Sequence, residues 1–201
     1  MPFFSAWLKS ILLMKFRVGA IPDSQEFTAN NWKPLKEPGP IVMQCFALPL
    51  GILFCALMIW LWVRWTPVTE NPVTYPLLLA IVMLSVFPVH ELLHLVMHPK
   101  FGMSDKSFLG VWPSRMILYA YYTDILSRNR FLAIFGMPIM ILSVLPLLIC
   151  SMIGYASVTI AFMSCFNMLA AGGDIFAILI LLFQVPNGAI VRNQGWRTYW
   201  N

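Results

Sequence analysis

Long apolar runs separated by short polar stretches dominate this chain. The first extends from Ile41 to Arg64, with Gln44 as its only strongly polar interior side chain. Trp60, Trp62 and Trp65 gather at its far end, as tryptophans do at a membrane interface. A second run covers Tyr75 to His98, and a third, Phe131 to Val185, is almost continuously apolar with Asp174 as its sole charged residue. As one helix the third run would rise about 80 Å, against a hydrocarbon core of about 30 Å. It must therefore fold back, and its weakest point is Ser151–Ser157, around Gly154. The pattern predicts four spans, at residues 41–64, 75–98, 131–153 and 158–184, each long enough for the ~20 residues a crossing needs. Pro138 and Pro146 are expected to bend the third.

The intervening stretches read differently. Residues 2–17 mix Phe3, Phe4, Trp7, Leu8, Ile11 and Leu12 with Lys9, Lys15 and Arg17, which predicts an interfacial amphipathic helix. Residues 18–40 are rich in proline and glycine and form a loop. Residues 99–129 are more polar. Within them Ser107–Trp112 and Met116–Tyr122 read as strands about a Trp112-Pro113-Ser114-Arg115 turn, predicting a hairpin-like segment at the membrane surface. The tail from Pro186 is polar. The expected fold is an all-α membrane protein of one domain over 1–201: four transmembrane helices, a short β-hairpin-like segment between spans two and three, and an N-terminal interfacial helix.

Composition supports the membrane class. Of 201 residues, 60% are hydrophobic and 10% charged, whereas soluble domains carry about 25% charged residues. The net charge of +5 matters through its placement. Lys9, Lys15, Arg17, Lys33 and Lys36 precede span one; Lys100, Lys106, Arg115, Arg128 and Arg130 lie between spans two and three; Arg192 and Arg197 follow span four; only Arg64 falls on the other side. The positive-inside rule puts both termini and the central loop in the cytoplasm, with the protein multi-pass in a cell (inner) membrane. No dense Lys/Arg run occurs, which argues against a nucleic-acid partner. Cys45, Cys55, Cys150 and Cys165 all lie in apolar segments with no C-x-x-C pair and are expected to be reduced and structural. The N-terminus lacks a basic region ahead of its apolar part, so no cleaved signal peptide is expected.

The chemistry concentrates in span two. His90-Glu91-Leu92-Leu93-His94 reads H-E-x-x-H, and His98 continues the spacing. On a helix, His90 and His94 share one face, so both imidazoles can bind one Zn²⁺. Glu91, about 100° round the helix, is placed as the base that takes the proton of the attacking water and passes it to the leaving amine. Pro88 removes a backbone donor near the motif and loosens the helix. Ionisable groups inside a membrane are costly and usually functional, and Glu91 and Asp174 are the only carboxylates within the expected spans. For a third ligand, His98 lies ~6 Å beyond His94 and ~12 Å from His90 along a straight helix. Asp174 requires only that spans two and four pack together. The geometry favours Asp174 and leaves His98 near the site as a supporting residue. Asn167 precedes Asp174 by seven residues, close to two turns, and is placed to contact substrate or the developing oxyanion. Ala170, Ala171, Gly172 and Gly173 allow close approach of another helix.

These residues carry a resemblance. The chain resembles the putative zincin family of small integral membrane metallopeptidases, a domain-of-unknown-function family, over roughly Trp32 to Trp200, and more distantly the site-2 proteases. The matching pieces are Trp32-Lys-Pro-Leu-Lys-Glu-Pro38, His90-Glu-Leu-Leu-His94, Ser127-Arg-Asn-Arg-Phe131 leading to Pro138, and Asn167 with Gly173-Asp174 ahead of Pro186 and Gly195. The resemblance implies His90, His94 and a span-four aspartate as zinc ligands, with Glu91 catalytic. It departs from site-2 proteases where Ile175 follows Asp174 in place of glycine. The expected activity is hydrolysis of membrane or membrane-adjacent peptides, with lipid and a peptide or transmembrane protein as partners. A non-catalytic zinc-binding membrane protein, such as a regulatory or immunity factor, and a metal transporter are the alternatives.

Overall fold

The computed structural model describes residues 15–23, 27, 31–66 and 76–201. In chain order the elements are β1 (Lys15–Val18), β2 (Lys33–Pro34), α1 (Pro40–Trp65), α2 (Pro76–Val96), β3 (Ser107–Trp112), β4 (Ile117–Tyr122), β5 (Leu126–Ser127), α3 (Arg128–Pro138), a π-helical turn (Ile139–Val144), α4 (Leu145–Ile153), α5 (Val158–Ala170), α6 (Gly172–Gln184), β6 (Ile190–Gln194) and β7 (Arg197–Trp200). Among the described residues, three helical stretches are long and apolar enough to cross a membrane: Pro40–Trp65, Pro76–Val96 and Arg128–Ile153. A fourth arises if α5 and α6, which meet at a bend of 51°, count as one broken span. Large apolar side chains such as Val63, Leu77 and Leu84 stand about three-quarters exposed on α1 and α2, a surface suited to lipid rather than water.

The chain divides into two compact units whose boundaries pass through α2 between His90 and Glu91, through α3 after Ile134, and through α6 after Ile178. The helical unit holds most of α1 and α2, the π-turn, α4, α5 and the start of α6. Its packing uses small residues. A Cβ on Gly172 would lie 2.0 Å from the Ala47 carbonyl oxygen, and one on Gly51 2.2 Å from that of Leu169, so α1 approaches the α5–α6 bend at backbone contact. Phe46 stacks on Phe176 at 5.3 Å, and Phe87 meets Phe166 edge-on at 5.5 Å. The predicted turn after span three is present: Gly154 closes α4 in the left-handed region at φ 76°, which glycine adopts without steric cost. Ser157 then caps α5 through the Ile160 amide. Proline disturbs span three by a change of helical pitch, the π-turn beginning right after Pro138.

The other unit carries the β-structure. The expected hairpin forms, with Ser107–Trp112 antiparallel to Ile117–Tyr122. Two features depart from expectation. Lys15–Val18 is a strand parallel to β3, where the pattern predicted part of an interfacial helix; the rest of that predicted helix, residues 2–14, lies outside the described residues. Backbone pairing with β3 satisfies amides that the short amphipathic pattern would have left to a helix. The polar tail is also a hairpin, β6 and β7, within a second sheet of order β2-β7-β6-β5. Register places Phe16, Val18, Leu109, Val111, Ala120 and Leu118 on one face of the first sheet, and none of the six is buried.

The segment from Lys33 to Pro38 is held against that tail. Leu35 N–H donates to the Thr198 carbonyl at 2.8 Å, Trp196 Nε1–H to the Pro38 carbonyl at 2.8 Å, and the Gln184 amide exchanges two hydrogen bonds with the Lys36 backbone at 2.9 and 3.2 Å. The Glu37 carboxylate accepts from the Thr198 backbone and hydroxyl. Burial pushes the Glu37 carboxyl up from 4.5 to about 7, against the lowering effect of Thr198 and Arg197. A carboxyl raised on folding favours the fold in acid, and that contribution fades as pH climbs through about 7. Thermal stability in detergent should therefore fall by roughly 1–3 kcal/mol from pH 5 to pH 8 through this group. Glu37→Gln should flatten that part of the profile; an unchanged profile would show that Glu37 is not its source.

Candidate metal centre

Helix α2 carries His90, Glu91 and His94 within about one turn, and each offers a ligand atom within 4.8 Å of the others'. His90 and His94 are 7% and 6% exposed, and Glu91 is half-buried. Both rings are held at Nδ1. His90 Nδ1 lies 2.9 Å from Asn167 Oδ1, and His94 Nδ1 lies 2.8 Å from the Ile134 carbonyl oxygen.

Asp174, in the first turn of α6, reaches His90 Nε2 with Oδ2 at 2.9 Å. Asp174 thus touches His90 and, like His98, stands outside the cluster of three. His98 sits elsewhere. It lies outside the cluster of three, is 1% exposed, and packs its ring against Tyr122 at 5.4 Å between centroids. Its ring lies in the protein interior. The Arg130 Nε–H bond to the Met97 carbonyl at 2.9 Å ties the chain just before it to α3.

Asn167 is fully buried and its amide is engaged on every side. Nδ2 donates to the Pro138 carbonyl at 3.1 Å and to Ser143 Oγ at 2.9 Å, while Oδ1 faces His90. Both amide hydrogens are thus spent on the π-turn region. The serines extend the network. Ser143 Oγ donates to the Ser164 carbonyl at 2.8 Å, Ser164 Oγ to the Ser143 carbonyl at 2.9 Å, and Trp62 Nε1–H to Ser164 Oγ at 3.0 Å. Ser143 and Ser164 are not singled out by the residue pattern above, and Trp62, expected at a membrane interface, is instead buried at 2% exposure. Ser164 stands three residues before Asn167, on the same helical face, and that spacing was the available signal.

The donor set fits a divalent metal such as zinc. A ring nitrogen can ligate only through its lone pair, and in metal sites the other nitrogen is usually held by an oxygen acceptor. The Ile134 carbonyl has no hydrogen to give, so His94 Nδ1 carries the proton and Nε2 is left with the lone pair. The same logic at His90 leaves its Nε2 facing a carboxylate oxygen at 2.9 Å. At that separation either a proton on His90 Nε2 or a metal cation beside it would join the pair; Asp174 stands outside the cluster of His90, Glu91 and His94, and two imidazoles with a carboxylate are a catalytic-type zinc set.

A helix bearing H-E-x-x-H is the signature of zinc-dependent peptidases. The chain matches the DUF3267 family model, described as "Putative zincin peptidase", over residues 83–190, more than half its length, and it belongs to that family. Comparisons with curated proteins and with solved structures found no match.

Proposed function

We propose that the protein is an intramembrane zinc metallopeptidase acting on membrane or membrane-adjacent peptides. The observation that carries this reading is the contact of Asp174 with His90, which joins a carboxylate to the H-E-x-x-H helix. His90, His94 and Asp174 would hold Zn²⁺, and the ion when bound supplies Lewis acidity that activates water and polarises a carbonyl. Glu91 takes the proton from the attacking water and returns it to the leaving amine. The Nδ1 hydrogen bonds orient the two imidazoles, so little reorganisation is needed when ligands and substrate arrive. A helical substrate must unwind before cleavage, and the β3–β4 hairpin offers an extended edge for it to pair with. The apolar face of the first sheet suits it to lie at the membrane surface. The basic segments at both ends and in the centre of the chain support a cytoplasmic placement for them.

The test is metal content and activity together. Protein purified in detergent and reconstituted in lipid should carry zinc and cleave a fluorogenic transmembrane peptide. A chelator should abolish cleavage and added Zn²⁺ restore it. Cleavage that persists after complete metal removal would overturn the reading. Ion flux across zinc-loaded vesicles, without cleavage, would favour a transporter instead.

A further inference from the structure

We propose that Pro138 sets the tautomer of His94 by releasing the Ile134 carbonyl, and that Asn167, anchored on the carbonyl of residue 138 and on Ser143, sets that of His90, each acting as a positioning residue. The inference deepens the zinc reading and rests on it only for the affinity measurement below.

The first arm follows from covalent chemistry. In an α-helix the carbonyl of residue 134 accepts from the amide of residue 138. Residue 138 is proline and has no amide hydrogen. The Ile134 carbonyl is therefore released from the α3 ladder, and His94 Nδ1–H occupies it at 2.8 Å. The proline ring thus creates the acceptor, and an acceptor that is only a carbonyl oxygen leaves the imidazole no choice of tautomer.

The second arm starts at Pro138's own carbonyl. It too can only accept, so the Asn167 atom 3.1 Å away must be Nδ2. The neighbouring contact agrees: Ser143 Oγ spends its single hydrogen on the Ser164 carbonyl at 2.8 Å and so accepts from the same Nδ2 at 2.9 Å. With the amide nitrogen anchored at two points, Oδ1 is turned to His90, where it can accept only from an Nδ1–H. The π-helical turn that starts at Ile139 and contains Ser143 supplies the second anchor; π-turns recur where a helix has been adapted to a functional site. Each motif histidine, one turn apart on α2, thus has an acceptor-only oxygen against its Nδ1.

The experiment uses the full-length protein with ¹⁵N-labelled histidine, stripped of metal, in lipid. Only three histidines are present, so ring-nitrogen resonances report each tautomer. In the wild type, Nδ1 of both His90 and His94 should carry a proton, the reverse of the preference of a free neutral imidazole; at His90 the Asp174 carboxylate 2.9 Å from Nε2 can hold a second proton there. Pro138→Ala restores an amide hydrogen that competes for the Ile134 carbonyl but keeps the residue-138 carbonyl. It should move His94 toward a mixture and leave His90 unchanged. Asn167→Ala should move His90 and leave His94 unchanged. Should Asn167→Ala fail to fold, Ser143→Ala, which removes one of the two amide anchors, should give a partial shift confined to His90. Zinc affinity by chelator competition should weaken about 10–100-fold in Pro138→Ala and in Asn167→Ala. An Nδ1 without its proton at either histidine in the wild type overturns the proposal. So does a Pro138→Ala protein whose His94 stays wholly Nδ1–H, or a shift of both histidines together in either variant. Because the tautomers are read without metal, failure of the protein to bind zinc would sink the peptidase reading while leaving this result standing.

Discussion

Glu91→Gln is expected to purify with the same zinc content as the wild type and to lose peptidase activity by about 10²–10⁴-fold, the usual contribution of a positioned general base. Glutamine keeps the size of the side chain and the helix propensity of the position. It cannot accept a proton from water. Since His90 and His94 keep their Nδ1 partners at Asn167 and Ile134, the rings should remain aimed as before. The variant therefore separates binding from chemistry. Unchanged cleavage with zinc retained would remove Glu91 from the mechanism and favour a site that holds zinc without catalysis. Loss of both zinc and cleavage would place Glu91 among the ligands.

The second large effect concerns Asp174. Asp174→Ala removes the carboxylate that meets His90 Nε2 at 2.9 Å, leaving a two-histidine chelate. Loss of a residue that merely orients a ligand weakens metal binding by about 10–100-fold, so loss of a ligand should exceed about 100-fold. Metal analysis after dialysis against a weak chelator should find the variant empty while the wild type stays loaded. Full zinc retention would put the third ligand elsewhere, and His98, buried four residues beyond His94, would be re-examined first. The small Gly172–Gly173 step next to Asp174 packs on Ala47 by its backbone, so the substitution at 174 removes no side chain from that contact.

Much of this was legible in the residue pattern, for identifiable reasons. The H-E-x-x-H spacing is local, and helix periodicity alone puts His90 and His94 on one face. Apolar runs of more than twenty residues admit few structures other than membrane helices. Asp174 could be linked to the motif because charged residues are so scarce there that two isolated carboxylates invite a common explanation. The β-structure was less legible. β1 pairs with β3 about ninety residues away, Lys15 opposite Phe108, and four residues carry no periodicity strong enough to announce such a partner. The tail strands β6 and β7 alternate weakly, with Arg192 and Asn193 in the middle of one, and their pairing to β2 and β5 is equally non-local. Asn167 was singled out from its seven-residue spacing to Asp174, yet its hydrogen bonds depend on a π-turn whose register no α-helical count would yield. Pro138 was read as a bend, although the lost amide at position 138 also frees the Ile134 carbonyl, and what occupies that carbonyl is a tertiary matter.

The break between α5 and α6 has an electrostatic consequence. An unbroken helix across residues 158–184 would carry Asp174 in its interior, where successive peptide dipoles cancel. With the axis turning by 51° near Ala171, α6 starts afresh at Gly172, and Asp174 occupies its first turn. A helix start carries the equivalent of about half a positive charge, worth about 1 kcal/mol to a nearby anion. The negative charge offered to a cation beside His90 is thus balanced partly by the backbone itself, in a region where no lysine or arginine stands between Arg130 and Arg192.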